Sequence, residues 1–160
     1  MSLQSSLSFM NQEVWDIGKK IEGYNKVNDK FAENPYYVTL KKRFNREEIM
    51  YFSLLKRMTE NCNLNKTIIL YFYKKSQVCP MCDSQAFVLT DLRYAAGEDV
   101  AVFSFDSDLE LPSVNMLISH YNVTGYPCIV VDGETFCGSV YDKDKLANLL
   151  CSKNSNLSIC

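Results

Sequence analysis

Apolar positions in the first part of the chain recur every three or four residues. Leu3, Leu7, Met10, Val14, Ile17, Ile21, Tyr24 and Phe31 follow this spacing, with Asn28 in the skipped slot. Such spacing lays one apolar stripe along an α-helix. Gly18 and Gly23 weaken that helix without ending it. Asn34-Pro35 is the punctuation: Asn is a good N-cap, and Pro suits a first helical turn. A second stripe follows through Tyr37, Leu40, Phe44, Tyr51, Leu55 and Met58. Residues 3–61 therefore predict two amphipathic helices in a hairpin, with a break expected near Phe44-Asn45. The stripe is expected to pack on its partner helix or on the C-terminal domain; a homodimer through these helices is the alternative.

The period then changes. Asn61-Cys-Asn-Leu-Asn-Lys66 is a polar joint. Thr67–Tyr73, rich in β-branched and aromatic residues, predicts a buried strand. Residues 80–96 predict a helix ended by Gly97, and residues 100–105 a second strand. Residues 112–121 predict a helix with Pro112 in its first turn. Two strands, 128–131 and 135–138, are joined by Asp132-Gly133, a tight-hairpin signal. A helix over 142–151 closes the sequence. The order is βαβαββα, and right-handed crossovers make part of its sheet parallel with one antiparallel hairpin. The predicted domains are a helical hairpin over 1–62, an α/β domain over 63–152 and a flexible tail over 153–160, too polar to pack.

Composition narrows the function. At 160 residues, 47% of them hydrophobic, the core is large enough to fold without disulfides, so seven cysteines need another explanation. A net charge of −2 leaves no footprint for nucleic acid. The apolar runs fall well short of the roughly 18–20 residues of a membrane span. The N-terminus has neither a basic start nor an apolar core, so no signal peptide is readable; an anchor further upstream stays open. An odd cysteine count leaves one thiol unpaired within a monomer. The cysteines, with Asn-x-Ser/Thr patterns at Asn65, Asn122 and Asn156, point to an extracytoplasmic setting, secreted or membrane-anchored; a cytoplasmic one stays open.

Cys79-Pro80-Met81-Cys82 stands at the predicted strand-to-helix junction. Cysteines separated by two residues can alternate between dithiol and disulfide, and a helix N-terminus favours the thiolate of the first. In a βαβ setting that spacing reads as a redox motif. A second pair follows from the hairpin. Counting outward from a two-residue turn pairs Val131 with Glu134, Val130 with Thr135, Ile129 with Phe136 and Cys128 with Cys137. The last is a non-hydrogen-bonded pair, where side chains approach most closely, so a cross-strand disulfide fits there; two buried free thiols are the alternative. Zinc would need Cys128, Cys137 or His120 to complete a set around the single CxxC, and neither a metal nor a cofactor is expected. The acids Asp106, Asp108, Asp142 and Asp144 fall where acids cap. Cys160 is expected to be mobile and free to bridge to another molecule.

These residues, with Val123-Thr-Gly-Tyr-Pro127 downstream, resemble the thioredoxin superfamily over about residues 66–151. In that superfamily the proline opening the third strand is cis and faces the CxxC; Pro127 takes this place. The Cys-Pro-x-Cys form and the short hairpin after Pro127 look like glutaredoxin's. The resemblance implies a thioredoxin-like α/β fold, a mixed sheet flanked by helices, behind the helical hairpin. It implies a thiol–disulfide oxidoreductase acting on protein disulfides and served by a redox partner protein. Cys79, exposed and partly ionised, would attack, and the more buried Cys82 would resolve. Pro80 and Met81 would shape the surface beside the sulfur, and Tyr126 and Pro127 would receive the substrate backbone. Where thioredoxins carry a buried acid, six residues before the first cysteine, this chain has Tyr73, and Val78 replaces the usual tryptophan. For the basic residue that glutaredoxins use near the motif for glutathione, Lys74 and Lys75 are no more than candidates, and glutathione dependence is not expected. The alternative class is a non-catalytic thioredoxin-fold adaptor whose helical hairpin binds a partner.

Overall fold

The structure, a computed structural model, describes residues 3–25 and 34–160. The chain divides into two compact units, Met1–Cys62 and Asn63–Cys160. The first holds α1 (Leu3–Asn25) and α2 (Pro35–Asn61). The stripe positions Asn28 and Phe31 lie outside the described residues. Within α1, Ile17 is the buried centre of the stripe. Asn34 caps α2 as its position predicts: its Oδ1 accepts from the Tyr36 N–H at 2.9 Å, and Pro35 takes the first turn, where a missing N–H costs nothing. Arg43 of α2 reaches Glu13 of α1 at 3.2 Å, and the Phe44 ring lies against Gly18.

The expected break in α2 does not occur; the helix runs unbroken through Phe44 and Asn45. Asn45 is fully buried, and its Nδ2 donates to the Lys41 carbonyl one turn back at 2.9 Å. A polar side chain that satisfies itself on its own helix leaves the ladder intact. The buried face also includes Phe52, which the stripe of sequence positions passed over.

The second unit starts with β1 (Thr67–Tyr73). After it come α3 (Pro80–Ala96), β2 (Val100–Asp106), α4 (Pro112–His120), β3 (Cys128–Val131), β4 (Glu134–Cys137) and α5 (Lys143–Lys153). The sheet order is β2-β1-β3-β4. β1 pairs with β2 in parallel and with β3 antiparallel, and β3 pairs antiparallel with β4. β1 is central and buried on both faces, which explains why it reads as a continuous apolar run. This strand order, with helices on the sheet, is the thioredoxin fold, preceded by an α-helical hairpin.

Local chemistry sets the boundaries. Gly97, at φ +59°, ends α3 in a backbone region open mainly to glycine, and its N–H donates to the Arg93 carbonyl. Asp132 and Gly133, at φ +49° and +82°, form the turn with two positive φ values whose twist suits a two-residue hairpin. The hairpin register is the one counted from that turn, down to Cys128 opposite Cys137, and β4 therefore begins at Glu134. Asp142 caps α5 by accepting from the Lys145 N–H at 2.9 Å.

Alternation along the strands sorts side chains between the two faces of the sheet. Ile69, Tyr71, Ile129 and Val131 meet Leu89, Leu92 and Ala96 of α3 and Leu146 and Leu150 of α5 in one core, with Phe136 at its edge. Phe72, Cys128, Thr135 and Cys137 alternate with these and face the other way. On that side Phe72 packs against Phe105, and the Thr135 hydroxyl donates to the Tyr121 carbonyl just past α4.

The last residues are not a flexible tail. Leu157 is 4% exposed and belongs to the α3–α5 core, with Ile159 packed beside it. The Ser158 hydroxyl donates to the Ala96 carbonyl at 3.2 Å and its N–H to Asp99 at 3.1 Å. Cys160 is bonded to Cys151, not free for another molecule. Average polarity hid two apolar residues in alternate positions and a terminal cysteine that returns the segment to α5.

Candidate redox site

The CxxC stands where β1 hands over to α3. After Tyr73 the chain makes a tight turn: the Val78 and Cys79 N–H groups both donate to the Lys75 carbonyl, at 3.0 and 2.9 Å. Asp108 braces this turn by accepting from the Lys75 N–H at 2.7 Å, while Asp106 accepts from the Asp108 N–H at 2.9 Å. Both acids cap backbone groups, as their positions predict. The brace on the redox loop, 33 residues away in sequence, had no signal in the sequence.

Cys79 is the N-cap residue of α3 and no side chain caps it; Pro80 follows in the first turn. Cys82 donates its N–H to the Cys79 carbonyl at 3.0 Å, closing one turn. The two sulfurs are bonded, with Cα atoms 5.4 Å apart. Cys79 is not exposed, as the resemblance implied, but 4% exposed, and Cys82 is 1% exposed. In the oxidised pair the first sulfur turns inward onto a buried partner. Solvent instead meets the flanking residues: Val78 is 59% exposed and Met81 44%, and Pro80 is exposed as well. Opening the disulfide frees Cys79 at a helix start, where unpaired N–H groups and the helix dipole favour a negative sulfur.

Pro127 lies at the same end of the sheet. β3 runs against β1 and pairs Cys128 with Phe72, which places Pro127 beside the strand end from which the CxxC turn departs. The Tyr126–Pro127 peptide is cis. Tyr126 is half-buried, and Lys74, the first residue after β1, sets its ammonium 5.1 Å from the centre of the Tyr126 ring. The Pro127 carbonyl accepts from the Gly138 N–H at 2.9 Å, extending the ladder one pair beyond β3 and β4.

Cys128 and Cys137 are disulfide-bonded across that hairpin, with Cα atoms 4.0 Å apart. They lie on the sheet face opposite Tyr71 and α3, so the two disulfides are on different sides of the sheet. The bridge ties edge strand β4 to the residue directly after Pro127. Cys62 is the only free cysteine among the described residues, and it is exposed. Among these residues no three His, Cys, Asp or Glu side chains gather as a metal site, and His120 ends α4 against Tyr121.

Two buried polar residues hold α3 in place, and the sequence did not reveal either. Gln85 is fully buried: its Oε1 accepts from the Tyr141 N–H at 2.7 Å and its Nε2 donates to the Tyr141 carbonyl at 3.2 Å. The Tyr71 hydroxyl donates to the Cys82 carbonyl at 2.6 Å.

The strand order is that of the thioredoxin fold, and a disulfide stands at the position of its CxxC. No family model and no curated protein matches the chain. Among solved structures it resembles a malarial protein at 21% identity and a TM-score of 0.46, over 55% of this chain and 97% of that one. It also resembles thioredoxin-2, described as a component of the malaria parasite protein secretion machinery, at 22% identity and 0.45, over 55% and 84%. A third is the germline-specific thioredoxin Deadhead of Drosophila melanogaster, at 22% identity and 0.46, over 63% and 92%. At these scores the likenesses add nothing to the fold read from the strand order.

Proposed function

We propose that the protein is a thiol–disulfide oxidoreductase acting on protein disulfides through Cys79 and Cys82. The observation that carries this reading is a CxxC disulfide at the start of α3, flanked by exposed Val78, Pro80 and Met81 and lying at the same sheet end as Pro127. In the reducing direction the Cys79 thiolate attacks one sulfur of the substrate disulfide. A Cys79–substrate bond forms and the other substrate sulfur leaves as thiolate. The Cys82 thiolate then attacks Cys79, the mixed disulfide breaks, and the second substrate thiolate leaves. Two electrons pass from the dithiol to the substrate, and a partner dithiol restores the reduced pair. The same steps in reverse oxidise a substrate. Tyr126 and Pro127 receive the substrate backbone, and the Cys-Pro-x-Cys form agrees with a glutaredoxin-like site.

The disulfides at 128–137 and 151–160, away from the reacting pair, support an oxidising compartment. The test uses two variants. Cys79→Ser abolishes turnover of a protein disulfide, and Cys82→Ser accumulates mixed disulfides with substrate that thiol reductant releases. Flat reductase and oxidase assays with an intact fold would overturn the reading and leave the adaptor class, whose partner binding survives both substitutions.

A further inference from the structure

The face of β1 that meets α3 presents Tyr71 and Tyr73, stacked with ring centres 5.5 Å apart. Tyr71 is 3% exposed. A buried phenol needs an acceptor, and Tyr71 finds it in the carbonyl of the second cysteine of the motif. That carbonyl lies in the first turn of α3 and has a second lone pair beyond the one the helix uses. The Cys82 backbone is thus held on both sides of its Cα, by its N–H on the Cys79 carbonyl and by its carbonyl on Tyr71.

We propose that Tyr71 is a positioning residue for the resolving step: it holds the Cys82 backbone, and through it the sulfur, in line with Cys79. This rests on the exchange reading of the CxxC. In resolution the Cys82 thiolate supplies the electron pair of the new Cys79–Cys82 bond, and the bond from Cys79 to substrate breaks, releasing substrate thiolate. An intramolecular displacement of this kind depends steeply on the placement of the attacking atom. The first attack belongs to Cys79, whose N–H is fixed by the Lys75 carbonyl and not by Tyr71. Tyr71 therefore acts on one of the two steps. Burial, with the nearby Tyr73 and Asp83, raises the Tyr71 hydroxyl well above its ordinary range, so it stays protonated and serves as a donor throughout.

The test reads the two steps separately. In a Cys62→Ser background, protein reduced only at Cys79–Cys82, verified by mass, is mixed with excess dithiobis-nitrobenzoate. One nitrothiolate is released by the Cys79 attack and a second by the Cys82 resolution. Tyr71→Phe keeps the ring and removes the donor; its second release is expected to slow about tenfold, with the first changed less than twofold. Tyr73→Phe changes neither. Both phases unchanged in Tyr71→Phe, or both slowed alike, overturns the proposal. Fluorotyrosine at position 71 gives a second measurement in a native-shaped core: a stronger donor speeds the second phase, and an unaltered second phase overturns the proposal. A parent protein with no second release at all overturns the exchange reading instead.

Discussion

Cutting the Cys151–Cys160 bridge should release the last residues of the chain. The disulfide spans nine positions and closes a loop of about ten residues. On the chain-entropy relation, a loop of that size restricts the unfolded chain by about 2.7 kcal/mol. The docked segment also has its own balance. Ordering the seven residues from Asn154 to Cys160 costs about 7 kcal/mol at the lower end of backbone entropy estimates. Against this stand the burial of Leu157, about 2 kcal/mol, partial burial of Ile159, about 1, and a few exposed or half-buried hydrogen bonds from Asn154 and Ser158, together about 2. The contacts alone fall short by about 2 kcal/mol, and the bridge makes up the difference. The bridge outweighs that shortfall only narrowly, so a Cys151→Ser/Cys160→Ser variant, in which the segment undocks, is expected to lose about 1 kcal/mol in equilibrium urea unfolding. In the bridged protein Leu157→Ala costs at most about the same 1 kcal/mol, because the segment undocks before the full cost of a buried-leucine cavity is reached. In the unbridged protein it costs less than about 0.5, because Leu157 has already left the core. Near-additive losses across this double-mutant cycle would refute the reasoning, since they would place Leu157 in the core without the bridge.

Gln85→Ala strips both partners from the Tyr141 backbone in a buried setting. It is expected to lose about 2–4 kcal/mol, read as a lower midpoint in thermal or urea unfolding. Tyr71 supplies a pH prediction. Its hydroxyl is raised above the ordinary value of 10.0 by burial first, then by the charges of Tyr73 and Asp83. The unfolded chain loses the Tyr71 proton at lower pH than the folded one, so the folded state holds more protons above about pH 10 and stability falls as pH rises from there. Below that pH the contribution is fully present. Unfolding titrations should show this alkaline loss flattened in Tyr71→Phe, and an identical alkaline limb in both proteins would refute it.

Most of the second unit was legible because its signals are local. β1 announces itself through consecutive β-branched and aromatic residues, and Asp132-Gly133 dictates both a turn and, by counting, the partner of every residue out to Cys128. The cysteine pair at 128 and 137 follows from that register alone. What stayed hidden depends on distant backbone groups. Gln85 and Tyr71 occupy inward positions of a helix and a strand, and their sequence neighbours do not show which peptide each will meet. Asp108 reads as a capping acid, yet the N–H it accepts from belongs to the loop after another strand. Asn45 looked like a break in α2 because composition carries no record of a bond back to Lys41. The C-terminal segment misled for the opposite reason: mean polarity averages away Leu157 and Ile159, the two apolar residues that help to seat it.

The positions of the two hairpin disulfide partners explain how a short edge strand can border a reactive site. β4 has four residues and a single neighbouring strand, and edge strands of that length fray readily. Pro127, which resemblance assigns to substrate docking, has its carbonyl held by Gly138, one residue beyond β4. If the edge frayed, Pro127 would lose that hydrogen bond. A covalent link between Cys128 and Cys137 stands one pair inside this bond and leaves Pro127 flanked by bonded structure on its C-terminal side. Because alternation sends both sulfurs to the face away from α3, the link braces the edge beside Pro127 from the side of the sheet opposite the α3 core. A bridge one residue along in either strand would turn into the α3 core, where Ile129 and Phe136 now pack.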